Sequence, residues 1–331
     1  MKKTLIALAA VAASGAAMAQ SSVTLFGNID VGIRHVNPEN GPSITSMSKN
    51  LISSSAIGFR GVEDLGGGMS AAFHLEGDLD PDTGTPGGLQ FRRRSTVSLI
   101  GGFGELRLGR DYTPTFTVHT KYDPFGTNGL GSSISMFGTT FGGLSSSAVR
   151  SDNGVGYLAT FGGFNVAYMY APRESATNNN DYHGVRLGYN AGPLSLDVAT
   201  AQETGVALGV HNPKRTNLGV AYDFGFIKPM FQYTTSKLET AAGDTKVNNV
   251  LLGLTAPVGP GLIRFSYVRN TLDTGAIDVD GKQVALGYTY PLSKRTSFNA
   301  NIARISTDAG FTTATGIQEQ TGYEIGIRHT F

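Results

Sequence analysis

The chain has 331 residues, a formal net charge of +1, no cysteine and no tryptophan, with 45 glycines, 13 tyrosines and 18 phenylalanines. A charge this close to zero argues against nucleic acid binding through bulk electrostatics, and the absence of cysteine excludes a fold held together by disulfides. Beyond the N-terminal segment, no apolar run approaches the ~18 residues of a transmembrane helix, which excludes a helical membrane protein.

The N-terminal segment has the pattern of a secretory signal peptide. Lys2 and Lys3 precede a short apolar run, and Ala17-Met18-Ala19 supplies small residues at the expected distance for cleavage. We therefore predict a signal peptide over residues 1–19 and a mature chain over residues 20–331. Because cleavage removes both lysines, the mature chain has a net charge of about −1.

Short segments in which apolar and polar residues alternate follow one another through the mature chain. The first covers residues 23–36, and a later one covers residues 185–189, where Val, Leu and Tyr alternate with Arg and Gly. Alternation with a period of two is typical of a strand whose two faces meet different solvents. No segment of convincing length has helical periodicity, so we predict an all-β fold.

The connections between these segments alternate between short turns and longer polar loops. The turns are rich in glycine and proline, as in Leu65-Gly66-Gly67-Gly68. The predicted loops lie near residues 37–49, 80–89, 112–149, 173–181, 204–213, 238–246, 271–281 and 306–318. Seven turns and eight loops would join sixteen strands, an even number, as a closed bacterial outer-membrane barrel requires.

The strand length fits a membrane-spanning barrel. About ten residues at ~3.3 Å rise, tilted by ~45°, cover ~23 Å, close to the ~25 Å apolar band of such barrels. The apolar parity would face lipid, and the polar parity would face a water-filled lumen. Because a basic side chain facing lipid at the midplane costs roughly 2–4 kcal/mol, we expect Arg186, Arg264 and Lys228 to face the lumen.

The last ten residues, GYEIGIRHTF, alternate to the end of the chain. Tyr323 and Phe331 lie on the apolar parity, and Glu324 and Arg328 lie on the other. Most soluble domains have frayed terminal residues, so we predict instead that this strand pairs with the first strand and closes the barrel. Phe331 would then lie in the aromatic girdle where the apolar band meets the interface.

Several stretches resemble the general porins of Gram-negative bacteria. These stretches are SSVTLFGNIDVGI, IGFRGVEDLGGGMSAAFHLE, GGFGELRLGRDY, RSDNGVGY and the terminal GYEIGIRHTF. The resemblance implies a 16-stranded antiparallel transmembrane β-barrel in the outer membrane, with short periplasmic turns, long external loops and a third loop folded inward. It also implies a homotrimer surrounded by outer-membrane lipid, without cofactor, metal or nucleic acid. In the family the C-terminal aromatic, here Phe331, is part of the signal for the outer-membrane assembly machinery.

The resemblance assigns a role to the longest loop. In the family the third loop narrows the pore opposite a wall of arginines, and residues 112–149 form by far the longest connection of this chain. Asp123-Pro124-Phe125-Gly126 is similar to the family's element in that loop, with acid and proline in exchanged order. Asp123 is therefore the predicted acidic pole, with Lys121 and Phe125 beside it.

The resemblance also predicts the basic wall. Its candidates are Arg60, Arg93, Arg110 and Arg150, with Arg34 on the first strand as a further candidate. The family usually has one more arginine four residues before Arg60, where this chain has Ala56. Arg92 and Arg94 flank Arg93 and cannot share its parity, so we expect them at the rim or at a subunit contact. Val97 and Leu99 match the parity of Arg93 and yet look lipid-facing, which leaves that strand's orientation open.

These features predict a passive channel for small hydrophilic solutes. Because Asp123 is the one acid of the loop, opposite several arginines, the constriction would be net positive and mildly anion-selective. For any single arginine, a salt bridge in the wall or rim is an equally good interpretation. A substrate-specific porin and an adhesin or structural barrel with binding loops are the alternatives. We predict no enzyme, because the six histidines are dispersed and lie in no nucleophile motif.

Overall fold

The computed structural model describes residues 22–84, 89–137, 148–173, 181–204, 206–207, 210–240 and 243–331. The predicted signal peptide, residues 1–19, lies outside these ranges. Most of the described chain is strand, with a few short helical segments. None of the helices in the described ranges has both the length and the hydropathy needed to cross a membrane.

The strands form one antiparallel sheet. They are β1 Ser22–Pro38, β2 Ile44–Ser48, β3 Ala56–Gly66, β4 Met69–Asp78, β5 Arg94–Gly101, β6 Gly104–Tyr112, β7 Arg150–Phe161, β8 Phe164–Ala171, β9 Asp181–Ala191, β10 Leu194–Thr204, β11 Val206–Ala207, β12 Val210–Tyr222, β13 Lys228–Thr240, β14 Gly243–Val258, β15 Gly261–Asp273, β16 Asp278–Pro291, β17 Thr296–Thr307 and β18 Gln320–Thr330. The helical segments are α1 Pro114–Lys121, a 3-10 helix Ser133–Phe137 and α2 Ala309–Thr315.

Sixteen of these strands close into a barrel, as the sequence predicts. The short strands β2 and β11 only extend the ladders of β1 and β12. Each of the other strands pairs with its neighbours along the chain, and β1 pairs with β18 to complete the ring. Closure leaves no free sheet edge, which is the condition for a sheet to cross a bilayer.

Several predicted loops contain more strand than expected, including residues 204–213, where β11 lies and β12 begins. Residues 238–246 belong mostly to a hairpin in which β13 and β14 stay paired up to Thr240 and Gly243. Residues 271–281 are likewise mostly strand, with β15 and β16 paired up to Asp273 and Asp278. These strands continue past their lipid-facing residues into segments whose outer face is polar, while their apolar side chains, Leu238, Leu272 and Val279, lie on the inner face. Alternation disappears there, although the backbone ladder continues.

The two faces of the barrel differ in the way that alternation predicts. In β18, Tyr323 and Ile325 are 53% and 49% exposed, whereas Glu324 between them is 1% exposed. The exposed apolar face is the outer, lipid-facing one, and the polar face encloses the lumen and meets the loop between β6 and β7. Arg186, Arg264 and Lys228 have the parity of the inner face, as predicted.

The end of the chain closes the barrel through a backbone pair and an aromatic ring. Phe331 and Gly27 exchange two backbone hydrogen bonds of 3.1 and 3.0 Å. The ring of Phe331 covers Gly27, because a Cβ added there would lie 2.6 Å from the ring. The position beside the last residue therefore accepts only glycine while the ring stays in place.

We expect Phe331→Ala to reduce the fraction of closed barrel after refolding in detergent. Removing a half-buried ring from the closing pair should cost about 1–2 kcal/mol, while Phe331→Tyr keeps the ring and serves as the control. The electrophoretic mobility shift between folded and heated protein measures the closed fraction. Equal fractions for Phe331→Ala and wild type would show that the ring is not needed for closure.

Candidate pore constriction

The connection between β6 and β7 folds back into the barrel, as predicted. It begins with α1, where the hydroxyl of Thr113 accepts a hydrogen bond from the N–H of Phe116 at 3.3 Å and Pro114 occupies the first turn. The Thr113 N-cap and Pro114 start the helix immediately after β6 ends, and the chain turns into the barrel at this point. The described part of the loop continues to Phe137 and contacts strands from β10 to β18.

Three rings of the loop pack against glycines of the inner wall. The pairs are Tyr122 on Gly219 of β12, Pro124 on Gly253 of β14, and Phe125 on Gly287 of β16. A Cβ added at these glycines would lie 2.0, 2.4 and 2.9 Å from the facing ring. Because real side chains do not approach so closely, any larger residue would displace the loop. We call these three glycines the glycine row.

Hydrogen bonds fix the loop on the same half of the wall. The hydroxyl of Tyr122 donates to Asp197 of β10 at 2.7 Å. The amide of Gln232 on β13 donates to the carbonyl of Val118 at 3.2 Å, and the N–H of Leu130 donates to Glu324 of β18 at 2.9 Å. Because α1 also touches β8 and β9, the described part of the loop lines β8–β10 and β12–β18, and the open lumen lies between it and β1 and β3–β7.

Asp123 lies inside the loop, which corrects the prediction of an acidic pole there. Its side chain is 4% exposed and accepts hydrogen bonds from the Ser133 N–H at 2.9 Å, the Ser133 hydroxyl at 2.7 Å and the Phe125 N–H at 2.8 Å. Burial raises the pKa of this carboxyl, although the hydrogen bonds act against the rise. An aspartate before a proline readily accepts from the N–H two residues on, and this local turn withdraws the carboxylate from the lumen.

The other two loop residues predicted to line the constriction, Phe125 and Lys121, lie in different environments. Phe125 is 1% exposed and packs against Ala285 and Ala303 of the wall, so it anchors the loop instead of lining the pore. Lys121 stays at the surface of the loop, where its side chain is 32% exposed and its ammonium lies 2.5 Å from Asp197.

A buried hydrogen-bonded chain inside the loop is absent from the sequence-based predictions. His119 Nε2 lies 2.9 Å from the Ser133 hydroxyl, which donates to Asp123 at 2.7 Å. Burial, assisted by the charge of Arg215, lowers the pKa of His119 to about 3, so its imidazole is neutral at physiological pH. These residue types resemble a hydrolase triad, but Ser133 donates to the carboxylate and all three side chains are buried. These hydrogen bonds therefore hold α1 against the 3-10 helix.

Acid should loosen the loop through His119. The pKa of about 3 in the folded protein lies below the ~6.5 of a free imidazole, so the stabilisation is full above pH ~6.5 and is lost as the pH falls toward ~3. We expect the melting temperature to fall more between about pH 7 and about pH 4.5 in wild type than in His119→Gln. The raised pKa of Asp123 acts in the opposite direction but is common to both proteins. Equal falls would contradict the assignment.

Arg93 and Arg150 meet at Tyr112, at the base of the loop. The Tyr112 hydroxyl lies 2.9 Å from Arg93 Nη2 and 2.8 Å from Arg150 Nη2, and the Arg150 guanidinium lies 4.4 Å from the ring centre. Arg93 also binds Glu76. Strand β5 begins at Arg94, so Arg93 lies outside the strand. Its side chain therefore need not face lipid, although Arg93 has the same odd-numbered parity as the lipid-facing Val97 and Leu99.

Arg60 and Arg34 both face the lumen but differ in their partners. The Arg60 guanidinium lies 5.0 Å from the ring centre of Phe26, and no carboxylate of the described residues lies within 4 Å of it. Arg34 lies 2.6 Å from Glu324, the carboxylate that also accepts from the loop at Leu130. Arg34 on β1 therefore lies where the loop-covered part of the wall meets the open part, and Arg60 on β3 belongs to the open part.

Two arginines lie on faces other than those predicted. Arg110 is on the opposite side of β6 from the buried Asp111 and pairs with Asp152 at 2.5 Å, so it does not belong to the basic wall. Arg94, expected at the rim, lies on the inner face and pairs with Asp111 at 3.4 Å. Leu106, Leu108 and Val97 are exposed and therefore face lipid. Because side chains alternate along a strand, Arg110 lies on the same outer face as Leu106 and Leu108, and Arg94 lies on the inner face, opposite to Val97.

The inner wall also has charged residues that the family resemblance does not supply. Arg107 pairs with Asp111 at 2.6 Å and with Glu105 at 2.8 Å, and Arg186 lies 3.8 Å from Asp197. A cavity of about 190 Å³ beside α1 is lined by Arg94, Arg107, Asp111, Thr117 and Arg186 among others. Strand parity alone could have found Arg107, because it alternates with Leu106 and Leu108.

Basic side chains outnumber acids around the open half of the lumen. The basic ones, on the wall, on the loop and at the loop base, are Arg60, Arg93, Arg94, Arg107, Lys121, Arg150 and Arg186, and the acidic ones are Glu76, Asp78, Glu105, Asp111 and Asp197. Since Asp123 is buried within the loop, it does not offset this excess. Within the described ranges, no group of three His, Cys, Asp or Glu side chains is placed to hold a metal ion.

Comparison with known proteins gives matches along the whole chain. The family model described as Gram-negative porin matches residues 4–310. Outer membrane porin protein 32 of Delftia acidovorans is 41% identical, with 100% of both chains covered. The solved structure of the anion-selective porin from Comamonas acidovorans is 36% identical with a TM-score of 0.85, covering 94% of this chain and 100% of that one. The trimer form of OmpT from Vibrio cholerae has a TM-score of 0.72 at 14% identity, over 94% of this chain and 99% of that one, and shows the fold alone.

Proposed function

The chain belongs to the Gram-negative porin family and is an outer-membrane channel, and we propose that its constriction passes anions more readily than cations. One observation carries the proposal: the single acid of the described loop, Asp123, is 4% exposed, whereas arginines face the opening opposite. The anion-selective porin from Comamonas acidovorans, which is 36% identical, supports the same preference.

The proposed mechanism is electrostatic. Arg60 and Arg150 have no carboxylate of the described residues within 4 Å, so their charge is available to a passing ion. An anion that loses part of its hydration shell at the narrowest point gains contacts with these guanidinium groups, whereas a cation is repelled. The paired arginines, such as Arg107 with Asp111, contribute mainly shape and a local transverse field.

The wider function and assembly belong to the same proposal. Passage is passive and open to small hydrophilic solutes, because the described residues form no closed binding site in the lumen and the described part of the loop leaves the side of β1 and β3–β7 open. We expect a homotrimer in contact with outer-membrane lipid, as the same fold forms a trimer in OmpT of Vibrio cholerae. We also expect recognition of Phe331 by the assembly machinery, and no enzymatic activity, since the family consists of channels.

The reversal potential in a potassium chloride gradient tests the preference. For the refolded protein in a planar bilayer we expect a chloride-to-potassium permeability ratio above about 2, a difference of about 0.4 kcal/mol. The ratio should fall at high salt, because the Debye length shrinks to ~3 Å at 1 M. A potassium-biased potential at low salt would refute the proposal, and conductance in triplet steps would support the trimer.

A further inference from the structure

The outer face of the barrel has basic side chains on six consecutive strands. They are Lys214 on β12, Lys237 on β13, Lys246 on β14, Arg269 on β15, Lys282 on β16 and Arg304 on β17, and all of them are exposed. Backbone pairing places Lys237 opposite both Lys214 and Lys246, and Arg269 opposite Lys282. We call these six residues the outer basic row.

The outer basic row lies at the end of the strands that the longer loops join. Lys282 shares its strand face with Leu286, which is 50% exposed, and Lys246 shares its face with Leu252, also 50% exposed. Four residues of strand separate Lys282 from Leu286, a distance of ~13 Å. The row therefore borders the lipid-facing apolar band, at the height where the polar head groups of the outer leaflet begin.

Half of the row is paired with acids that lie farther from the membrane. Lys237 pairs with Asp244, Arg269 with Asp280 and Arg304 with Glu319. Lys214, Lys246 and Lys282 have no carboxylate within 4 Å in the described part of the chain. The charges nearest the apolar band are thus positive, and three of them form no ion pair with a described residue.

The row is confined to one side of the barrel. On the outer faces of β1, β3–β5 and β8–β10, the described positions hold no lysine or arginine, and the outer face of β6 holds one, Arg110, which pairs with Asp152. An interfacial belt that only positions the barrel in the membrane would be expected around the whole circumference. The confinement to six neighbouring strands points to a ligand of limited size.

An apolar groove lies on the same side. It has a volume of 440 Å³, and its lining includes Ile263, Leu286, Ala300, Ile302, Tyr323 and Ile325 on the outer faces of β15–β18. Ala300 leaves room between larger neighbours on the adjacent strands. Arg304 follows Ile302 by two residues on the same strand face, ~7 Å away along β17. The upper end of the groove therefore lies beside Arg304 and close to Lys282.

We propose that this face binds a phosphate-bearing lipid of the outer leaflet, with the phosphates on the outer basic row and one acyl chain in the groove. The unpaired lysines supply the counter-charge that a phosphate needs at an interface. The groove supplies a cleft that, within the bilayer, an acyl chain of suitable width fills by close packing. The proposal rests on the outer-membrane location and is independent of the ion preference inside the pore.

Native mass spectrometry of the detergent-folded protein with diphosphorylated lipid A tests the head-group site. We expect Lys246→Gln/Lys282→Gln to weaken binding about tenfold or more. The control Lys294→Gln/Arg295→Gln removes the same charge from the exposed turn after β16, at the opposite end of the barrel, and should bind as wild type. Conductance of both variants should be unchanged, because these side chains lie outside the lumen, and this confirms that they fold. Equal binding of dephosphorylated lipid A, or full binding by Lys246→Gln/Lys282→Gln, would overturn the proposal.

The groove is tested with Ala300→Leu, which fills it, against Ala71→Leu on the outer face of β4. We expect only Ala300→Leu to reduce the amount of lipid retained, by about threefold. If Ala300→Leu instead alters the oligomeric state and leaves lipid binding intact, the groove is a contact between copies and the acyl-chain assignment is wrong. Complete displacement of lipid A by inorganic phosphate alone would assign the row to soluble anions and would also overturn the proposal.

Discussion

Gly219→Val is expected to push the constriction loop toward the lumen and to lower the single-channel conductance to about half, with frequent closures. The added Cβ would lie 2.0 Å from the ring of Tyr122, so the ring must leave the wall. The hydrogen bond from Tyr122 to Asp197, now 2.7 Å, would be lost with it. Removing a buried aromatic from its packing costs about 3–5 kcal/mol. The strands themselves keep their pairing, so the barrel should remain folded.

Two further variants make this test specific. Gly156→Val also adds a side chain to the inner wall, but the nearest atom to its Cβ is 3.6 Å away, so its conductance should stay close to wild type. Tyr122→Ala combined with Gly219→Val removes the ring and fills part of its space, which should recover a steadier current than Gly219→Val alone. If all three variants conduct alike, the glycine row does not position the loop.

The second large effect is expected from Arg60 and Arg150, which have no carboxylate within 4 Å among the described residues. Arg60→Gln/Arg150→Gln should abolish most of the chloride preference, because it removes the excess of basic over acidic groups around the open lumen. Arg60→Glu/Arg150→Glu should reverse the preference to potassium, since four units of charge change beside the permeation path. The reversal potential at low salt measures both.

Arg110→Gln/Arg295→Gln is the matched control for the selectivity variants. It removes the half-buried Arg110, on the opposite side of β6 from Asp111, and the exposed Arg295, in the turn after β16. The expected permeability ratio is that of wild type. A shift as large as that of Arg60→Gln/Arg150→Gln would place Arg110 in the pore and would restore its sequence-based assignment to the wall.

The fold could be predicted from the sequence because lipid and water impose a period of two on each strand. The terminal strand shows this well, since Tyr323 and Ile325 are exposed on one face and Glu324 is buried on the other. The prediction failed where strands leave the membrane, as in residues 238–246, because the outer face becomes polar there and the apolar Leu238 turns inward, so the lipid-facing period disappears. Strand pairing then depends on backbone hydrogen bonds that composition does not reveal.

The site was less predictable because its contacts join distant parts of the chain. Nothing local shows that Asp123 accepts from Ser133, which depends on how the loop folds upon itself. The glycine row has the composition of many turn glycines, and only the rings that face it reveal its role. Arg94 was misplaced because the first residue of β5 could not be fixed from its sequence.

The position of the loop contacts has a consequence for the order of assembly. Val118 contacts a residue 114 positions later, and Leu130 contacts one 194 positions later. Such distant contacts form only after the intervening chain is in place, so loop closure entropy delays them. The wall that holds the loop is complete only when β18 has joined β1. A newly closed barrel should therefore pass through a wide, unselective stage. The constriction loop of this channel reaches its final position only after the barrel wall has formed.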